Sequence, residues 1–475
     1  MKGFAAGLDC MSAERDVPPS PWRSRAGRTI LGFLFEFCCE PAMALFSQDA
    51  LNRGVRRREV LGWAAYDFAN SGYTTVVLTA VFSAYFVGSV ADGASWATLA
   101  WTLTLAASSL VVMLTMPALG AYADLRAAKK RLLALSTVGC VMATAALALA
   151  GPGDLAWAVA FVILSNVFFS YGESLIAAFL PELARPGSLG RVSGWGWSFG
   201  YFGGMLALGG SLGYVLWAQA QGLPAAHFVP VTMLLTAALF AAASLVTFAL
   251  LRERAQPQAR AQQASGVGAS LAQLARTWRE ARRYQDFTAL LACAVAYQAG
   301  ISVVIALAAI YAEQALGFKQ TDTMILIFLV NIAAALGAFA WGYVQDRVGH
   351  VRALGITLIG WIVMTALAGL ATTAALFWVA AVIAGLCMGS SQSAGRALAG
   401  ALAPERQRAE FYGLWTFAIR LSAIIGPVTY GLITLLSAGN HRLAILGTGL
   451  FFVLGLVLLR AVDVRRGIAA AQAAL

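Results

Sequence analysis

Three ionisable residues stand inside long apolar runs, and chemistry is to be sought there. Asp67, Glu173 and Arg420 each lie in a stretch otherwise almost free of charge. A charge at the middle of a lipid-spanning helix costs about 2.5–3.5 kcal/mol on insertion scales, so it calls for a task. The helical rise puts Asp67 ~10 Å, Glu173 ~12 Å and Arg420 ~14 Å from the arginine-rich ends of their runs, at a similar depth. Two acids and one base at one level suit the binding of a small zwitterion. Asp67 or Glu173 would receive an ammonium or a coupling proton, with Glu173 the first candidate for the proton. The planar fork of Arg420 would hold a carboxylate. Asp67, Asn70 and Thr74 share one helical face, Asn166, Ser170 and Glu173 another, and Thr416 lies one turn before Arg420. Gln298 and Asn331 are further polar residues inside runs, as are Gln392 and Arg396, although bonds between helices are the slightly favoured reading for each. Arg396 is expected near the inner interface. The competing reading is an internal salt bridge that never touches substrate.

The elements that position these groups are membrane helices. Sixty per cent of the 475 residues are apolar and 12 per cent are charged, about half the charge of a soluble protein. Mean hydropathy is +0.74. Runs of roughly 18 or more apolar residues cross the ~30 Å hydrocarbon core as helices, in which every backbone polar group is satisfied internally. Period-2 alternation, the signature of a membrane barrel, is absent. Twelve spans are predicted, at 60–87, 96–120, 131–150, 155–180, 194–219, 228–251, 286–311, 322–344, 352–372, 376–398, 411–435 and 442–461. They give an all-α fold of two six-helix bundles, 59–251 and 285–462, joined by a loop over 252–284. Within that loop Leu271, Leu274 and Trp278 share a face, as in an amphipathic helix on the inner leaflet. Residues 1–58 and 463–475 read as cytoplasmic tails, the first disordered. Residues 1–50 resemble neither a span nor a signal peptide, and a true start at Met43 would explain them.

Charge sets the orientation. The net charge is +11, and alternate loops carry it: Arg56 to Arg58, Arg126 to Arg131, Arg185 and Arg191, seven arginines of the central loop, Arg347 and Arg352, Arg406 and Arg408, and Arg465 and Arg466. Both termini and the central loop are therefore expected on the cytoplasmic side of a plasma membrane. Four lysines against 29 arginines fit the GC-rich coding of a bacterium.

A motif occurs twice. Gly120-Ala-Tyr-Ala-Asp124-Leu-Arg126 precedes Lys129, Lys130 and Arg131, and Gly342-Tyr-Val-Gln-Asp346-Arg347-Val-Gly349 lies 222 positions later. Pro181-Glu182 returns as Pro404-Glu405 at an offset of 223. Parallel repeats of six helices are a known transporter plan. The glycines permit close backbone approach. Asp124 and Asp346 suit the positive N-termini of helices eleven and five respectively. Arg126, Lys130 and Arg347 would complete the bonds as a latch on the closed inner side. Gly196, Gly200 and Gly204 repeat every four residues and predict close helix packing, as a sliding interface would use.

Other classes find little support. The basic residues form no base-reading patch, so nucleic acid is not an expected partner. The six cysteines show neither metal-ligand nor disulfide spacing. Gly196-Trp-Ser198-Phe-Gly200 and Gly209-Gly-Ser211-Leu-Gly213 match a hydrolase elbow but fall inside one helix, where its strand-to-helix turn is impossible. The phosphate-binding loop of ATP-driven machines is absent. No cofactor and no metal are expected. The partners are the bilayer, a small solute and protons, and the chain is expected to act as a monomer.

The duplicated loop resembles the signature of the major facilitator superfamily, with Ala128 near the second glycine of the first copy. Finer motifs resemble the vacuole-effluxer family of autophagy-linked amino-acid exporters. They are Gly62-Trp63-Ala-Ala-Tyr66-Asp67-Phe68-Ala69-Asn70-Ser71-Gly-Tyr73, Phe179-Leu180-Pro181-Glu182-Leu183-Ala184, Val192-Ser193-Gly194, Gly200-Tyr201-Phe-Gly203-Gly204, Glu410-Phe411-Tyr412-Gly413 and Gly426-Pro427. The likeness covers roughly 60–462, and Ile176-Ala177 stand where the family has Tyr-Asn. It implies secondary transport of small solutes by rocking bundles, with amino acids the expected class and export or exchange the expected mode. A drug or lipid exporter of the same fold is the alternative, and a membrane receptor or integral enzyme is the alternative of another class.

Overall fold

The computed structural model describes residues 46–257 apart from 95, then 279, 281–316, 320–438 and 440–473. Twelve of its helices are long and apolar enough to cross a membrane. In chain order they are α1 Arg57–Val90, α2 Ala97–Arg126, α3 Lys129–Ala146, α4 Leu155–Ala177, α5 Leu189–Ala220, α6 Ala225–Leu250, α7 Gln285–Leu316, α8 Gln320–Val348, α9 His350–Leu370, α10 Ala374–Leu402, α11 Arg408–Leu436 and α12 His441–Leu459. Among the described residues there is no strand beyond a lone bridge between Leu51 and Ala184. Most helices overrun their hydropathic spans at the arginine-rich end, here called the basic end, because their polar first or last turns still close backbone bonds.

The two halves repeat one packing scheme. In the first, α1 packs on α5 and α6, α3 on α4 and α6, and α2 on α4. In the second, α7 packs on α11 and α12, α9 on α10 and α12, and α8 on α10. Across the halves, α2 meets α11 and α5 meets α8, again as a symmetric pair. Large apolar side chains such as Leu135, Met142, Leu245, Leu436 and Leu450 point outward, as lipid-facing residues do. Pro117, Pro230 and Pro427 sit inside α2, α6 and α11, which neighbouring helices tolerate in a membrane bundle. Helix α1 changes character beyond Tyr73, with π-helical stretches over Thr74–Ala80 and Phe86–Val90.

The turn after each signature loop needs a left-handed residue. Gly349 supplies it after α8 with φ +90°. After α2 the residue at the matching offset of 222 is Ala127, held at φ +49°, so the lost glycine of the first copy is Ala127 and not Ala128.

Two segments read as tail differ from a free chain. Residues 46–56 dock on the α4–α5 loop: Asn52 N donates to Leu183 O (2.9 Å) and Arg185 N to Ala50 O (2.9 Å). The Asn52 amide also donates to Pro181 O and Glu182 O. Beyond α12 a short helix, α13 (Val464–Gln472), is capped by Asp463. Arg466 ties it to Asp286 of α7 with bonds of 2.9 and 2.7 Å. The amphipathic stretch expected around Leu271, Leu274 and Trp278 lies outside the described residues, as do residues 1–45.

Candidate functional site

At the basic end the two signature aspartates meet the helix starts that the repeat predicts. Asp124, near the end of α2, accepts from Glu410 N (3.0 Å) at the start of α11. Asp346, near the end of α8, accepts from Gly190 N (2.9 Å) and Arg191 N (3.1 Å) at the start of α5. Both place an anion on orphan N–H groups at a positive helix end. The glycines make the approach possible: a Cβ on Gly342 would lie 2.6 Å from Gly190 O, and one on Gly120 would overlap the Ala409 carbonyl.

The expected cations do something else. Arg191 supplies the charged bond to Asp346 through its Nε (3.0 Å). Lys130 turns back to α6, where Nζ donates to Phe248 O (2.8 Å) and Leu251 O (2.5 Å) and caps that helix's C-terminus. Arg126 lies over the Tyr122 ring at 5.0 Å. Arg347 lines a cleft of about 260 Å3 beside Asp346 and Tyr343. Lys129, buried, pairs with Glu182 and lies over Phe179. The start of α3 is capped from afar, as the Glu253 carboxylate accepts from Lys129 N (2.8 Å) and Lys130 N (3.1 Å). Burial raises the Glu253 pKa against the pull of those two N–H groups.

Toward the midplane, two ion pairs bridge the bundles. Asp67 of α1 binds Arg396 of α10, with Arg396 Nη1 donating to Oδ2 at 2.7 Å. Glu173 of α4 binds Arg420 of α11, with Nη2 donating to Oε2 at 3.1 Å. The three charges read from the sequence thus do not form one cluster: Asp67 is taken by Arg396, and Arg420 holds Glu173 internally. The pairs differ in wetness. The side chains of Arg396 and Asp67 are 8% and 10% exposed, whereas Glu173 is 41% exposed beside a 13% exposed Arg420. Glu173 therefore faces open space and Asp67 does not.

The polar neighbours divide. Asn70 is buried with no partner for its Oδ1, and Thr416 is buried one turn from Arg420. Asn166 donates to Ser108 Oγ (2.6 Å) and Ser170 to Asn166 O (2.6 Å), within the first bundle. Gln298 donates to Gln392 (2.7 Å) within the second. Thr74 and Asn331 bond to carbonyls of their own helices. Gly196, Gly200 and Gly204 face Asp67, Ser71 and Thr75 of α1. They seat α5 on α1 inside one bundle, as close packing predicts, whereas Gly190 and Gly194 face Gly342 and Ala338 of α8 across the bundles.

Arg396 is the buried cross-bundle partner that sequence reasoning undervalued. Its signal was present: Glu173 and Arg396 are 223 positions apart, the same offset as the two Pro-Glu pairs. One repeat position carries an acid in one half and a base in the other.

Comparison with known proteins agrees with this architecture. The family model described as vacuole effluxer Atg22-like matches residues 83–472. An uncharacterized MFS-type transporter of Bacillus subtilis, YxiO, is 25% identical over 402 residues, covering 84% of this chain and 93% of its own. Autophagy-related protein 22-1 of Aspergillus niger is 28% identical over 211 residues, 41% of this chain and 34% of its own length. Among solved structures, the human organic anion transporter MFSD10 superposes with a TM-score of 0.68 at 18% identity, over 85% of this chain and 99% of that one. The matched repeat, the twelve helices and these likenesses lead to one assignment: the chain belongs to the vacuole effluxer Atg22-like family of the major facilitator superfamily, and is a multi-pass secondary transporter.

Proposed function

We propose that the protein carries amino acids or related zwitterions across the membrane by alternating access, with Glu173 and Arg420 as the substrate-binding pair. The observation that carries this is their ion pair: it joins the two bundles, and its acid is 41% exposed. A zwitterion supplies one charge of each sign. Its ammonium replaces Arg420 at Glu173, and its carboxylate takes the Arg420 fork, so the exchange leaves no buried charge unpaired. The unpartnered Arg420 Nε is a further donor for that carboxylate. Thr416 lies about one turn from Arg420 toward the basic end, and Asn70 about one turn beyond Asp67 away from it. Glu173 is also the residue proposed to take a coupling proton.

In this reading the basic end is cytoplasmic, both termini lie there, and the structure is the form closed to the cytoplasm. The cross-bundle bonds of Asp124, Asp346 and Arg396 all belong to that half. A hydrophobic drug or lipid as substrate is disfavoured, because it would part Glu173 from Arg420 and pair with neither. The test is uptake of labelled amino acids into proteoliposomes, with and without an imposed pH gradient. Wild-type flux that Arg420→Ala abolishes supports the reading, and equal flux in Arg420→Ala sinks it. Flux that ignores the pH gradient removes the proton.

A further inference from the structure

We infer that Asp67 and Arg396 are not a second substrate subsite but a gate directly beneath the Glu173–Arg420 pair, sealed by an aromatic clamp on Arg396. The inference rests on the alternating-access reading and adds to it the residues that close the floor of the site.

Arg396 belongs to the second bundle, and everything that grips its guanidinium belongs to the first. Nη1 donates to Asp67 Oδ2 (2.7 Å), Nε to Ser193 Oγ (3.1 Å) and Nη2 to Ser193 O (2.9 Å). Its planar group lies 4.7 Å from the Trp63 ring centroid and 5.3 Å from that of Trp197. A guanidinium between two indoles is a favourable, water-excluding arrangement. Trp63 is itself fixed, donating from Nε1 to Ile176 O (2.8 Å). Ser193 Oγ in turn donates to Ser393 O (2.9 Å) on α10. No outward swing of α10 at this end can occur without parting the Arg396 contacts and the Ser193–Ser393 bond together.

The level of the clamp is set by α11. Tyr412 donates to Arg396 O (2.9 Å), and a Cβ on Gly395 would meet the Trp415 ring. Arg420 lies five residues beyond Trp415, about 7.5 Å further from the basic end. The sealed pair is thus under the wetted one. The clamp also shares its helix with the latch: Ser193 follows Arg191 and Gly190, which hold Asp346. Opening at the latch and release of Arg396 are one movement of the first turns of α5 against the second bundle.

A cysteine at Thr416, between the two levels, reports the gate. The full chain, with its native cysteines replaced, is labelled in sealed vesicles by an impermeant thiol reagent from the basic-end side. Arg396→Ala is expected to raise the labelling rate at least tenfold, and Arg396→Lys to restore it in part, because the charge remains while the fork to Ser193 is lost. The double change Asp67→Asn with Arg396→Gln, which leaves no lone buried charge, should behave like Arg396→Ala and covers a failure of the single variant to fold. Arg420→Lys should leave the rate within twofold. Unchanged labelling in both the Arg396→Ala and the double variant would overturn the gate, as would an equal rise in Arg420→Lys. Because labelling needs no substrate, absent amino-acid flux with intact gating would sink the substrate reading alone.

Discussion

Neutralising Asp346 should loosen the closed basic end by a calculable amount. In Asp346→Asn the side chain keeps its size but loses its charge. Asp346 accepts three hydrogen bonds, from Gly190 N, Arg191 N and Arg191 Nε. A bond to a charged group contributes about 1.5–3 kcal/mol and a neutral one about 0.5–1.5, so the two Arg191 bonds kept by the single amide oxygen each lose roughly 1 kcal/mol, while the NH2 that replaces the other oxygen accepts nothing and the Gly190 bond is lost whole. Neighbouring bonds are not additive, which brings the sum to about 2–3 kcal/mol. At about 1.4 kcal/mol per factor of ten, the closed form loses roughly thirty- to hundredfold in relative population. Asp124 accepts from the start of α11 without a bonded guanidinium. Asp124→Asn should therefore cost less, about 1–2 kcal/mol. A cysteine at Ser393, buried on α10 against Ser193, reads the difference when labelled from the basic-end side. Labelling in Asp346→Asn that matches the unmodified latch, or that falls below Asp124→Asn, would refute the latch and its arithmetic.

Four further outcomes are expected. Ala127→Gly removes a left-handed alanine and should stabilise the solubilised protein by about 1 kcal/mol, read as a rise in its thermal midpoint. Lys130→Met uncaps α6 and should destabilise by about 1–2 kcal/mol without changing Ser393 labelling, since Lys130 bonds to α6 and not to a signature aspartate. Gly120→Ala should raise Ser393 labelling as Asp346→Asn does, because its Cβ collides with the Ala409 carbonyl only when the basic end is closed. The Arg191 guanidinium holds the Asp49 carboxyl below its ordinary value. The contribution of that contact is fully present above the unfolded value of about 4 and is lost as pH falls through the lower folded one. Protease sensitivity of the residue 46–56 strap should rise in acid and, in Asp49→Ala, already at neutral pH.

Some of this site is legible in the sequence, and the rest fails for a physical reason. Asp124 and Asp346 could be joined to the starts of α11 and α5 because a duplicated loop states its own symmetry and a helix N-terminus attracts an anion whatever else surrounds it. Their cations could not be chosen that way. Lys129, Lys130 and Arg126 are adjacent in sequence, and only the azimuth of α3 against α6 decides that Lys130 caps a helix while Lys129 pairs with Glu182. Depth was equally blunt. A rise of about 1.5 Å per residue sets Asp67 and Arg420 at nearly one level, yet facing direction gives Asp67 to Arg396. Gly196, Gly200 and Gly204 show the same limit: spacing announces close packing, but only the fold says on which neighbour.

The midplane charges obey a rule that neither bundle could satisfy alone. The first bundle brings two acids, Asp67 and Glu173, and the second two bases, Arg396 and Arg420. Within lipid each bundle by itself would carry two uncompensated charges, an expensive state. Pairing across the seam removes that expense, and so binds the bundles where the proposed alternating access would have them part. Motion then requires a substitute for each partner as it leaves. Glu173 is 41% exposed, so in the proposed reading the upper pair has room for a substitute, and a zwitterion with both signs is a fitting one. The lower pair, 8% and 10% exposed, gains its substitute only when the basic end opens and water enters there. In the proposed reading, a carrier whose upper pair accepts a zwitterion while its lower pair stays dry admits cargo from the far side without joining the two compartments, because the floor is shut whenever that side is open.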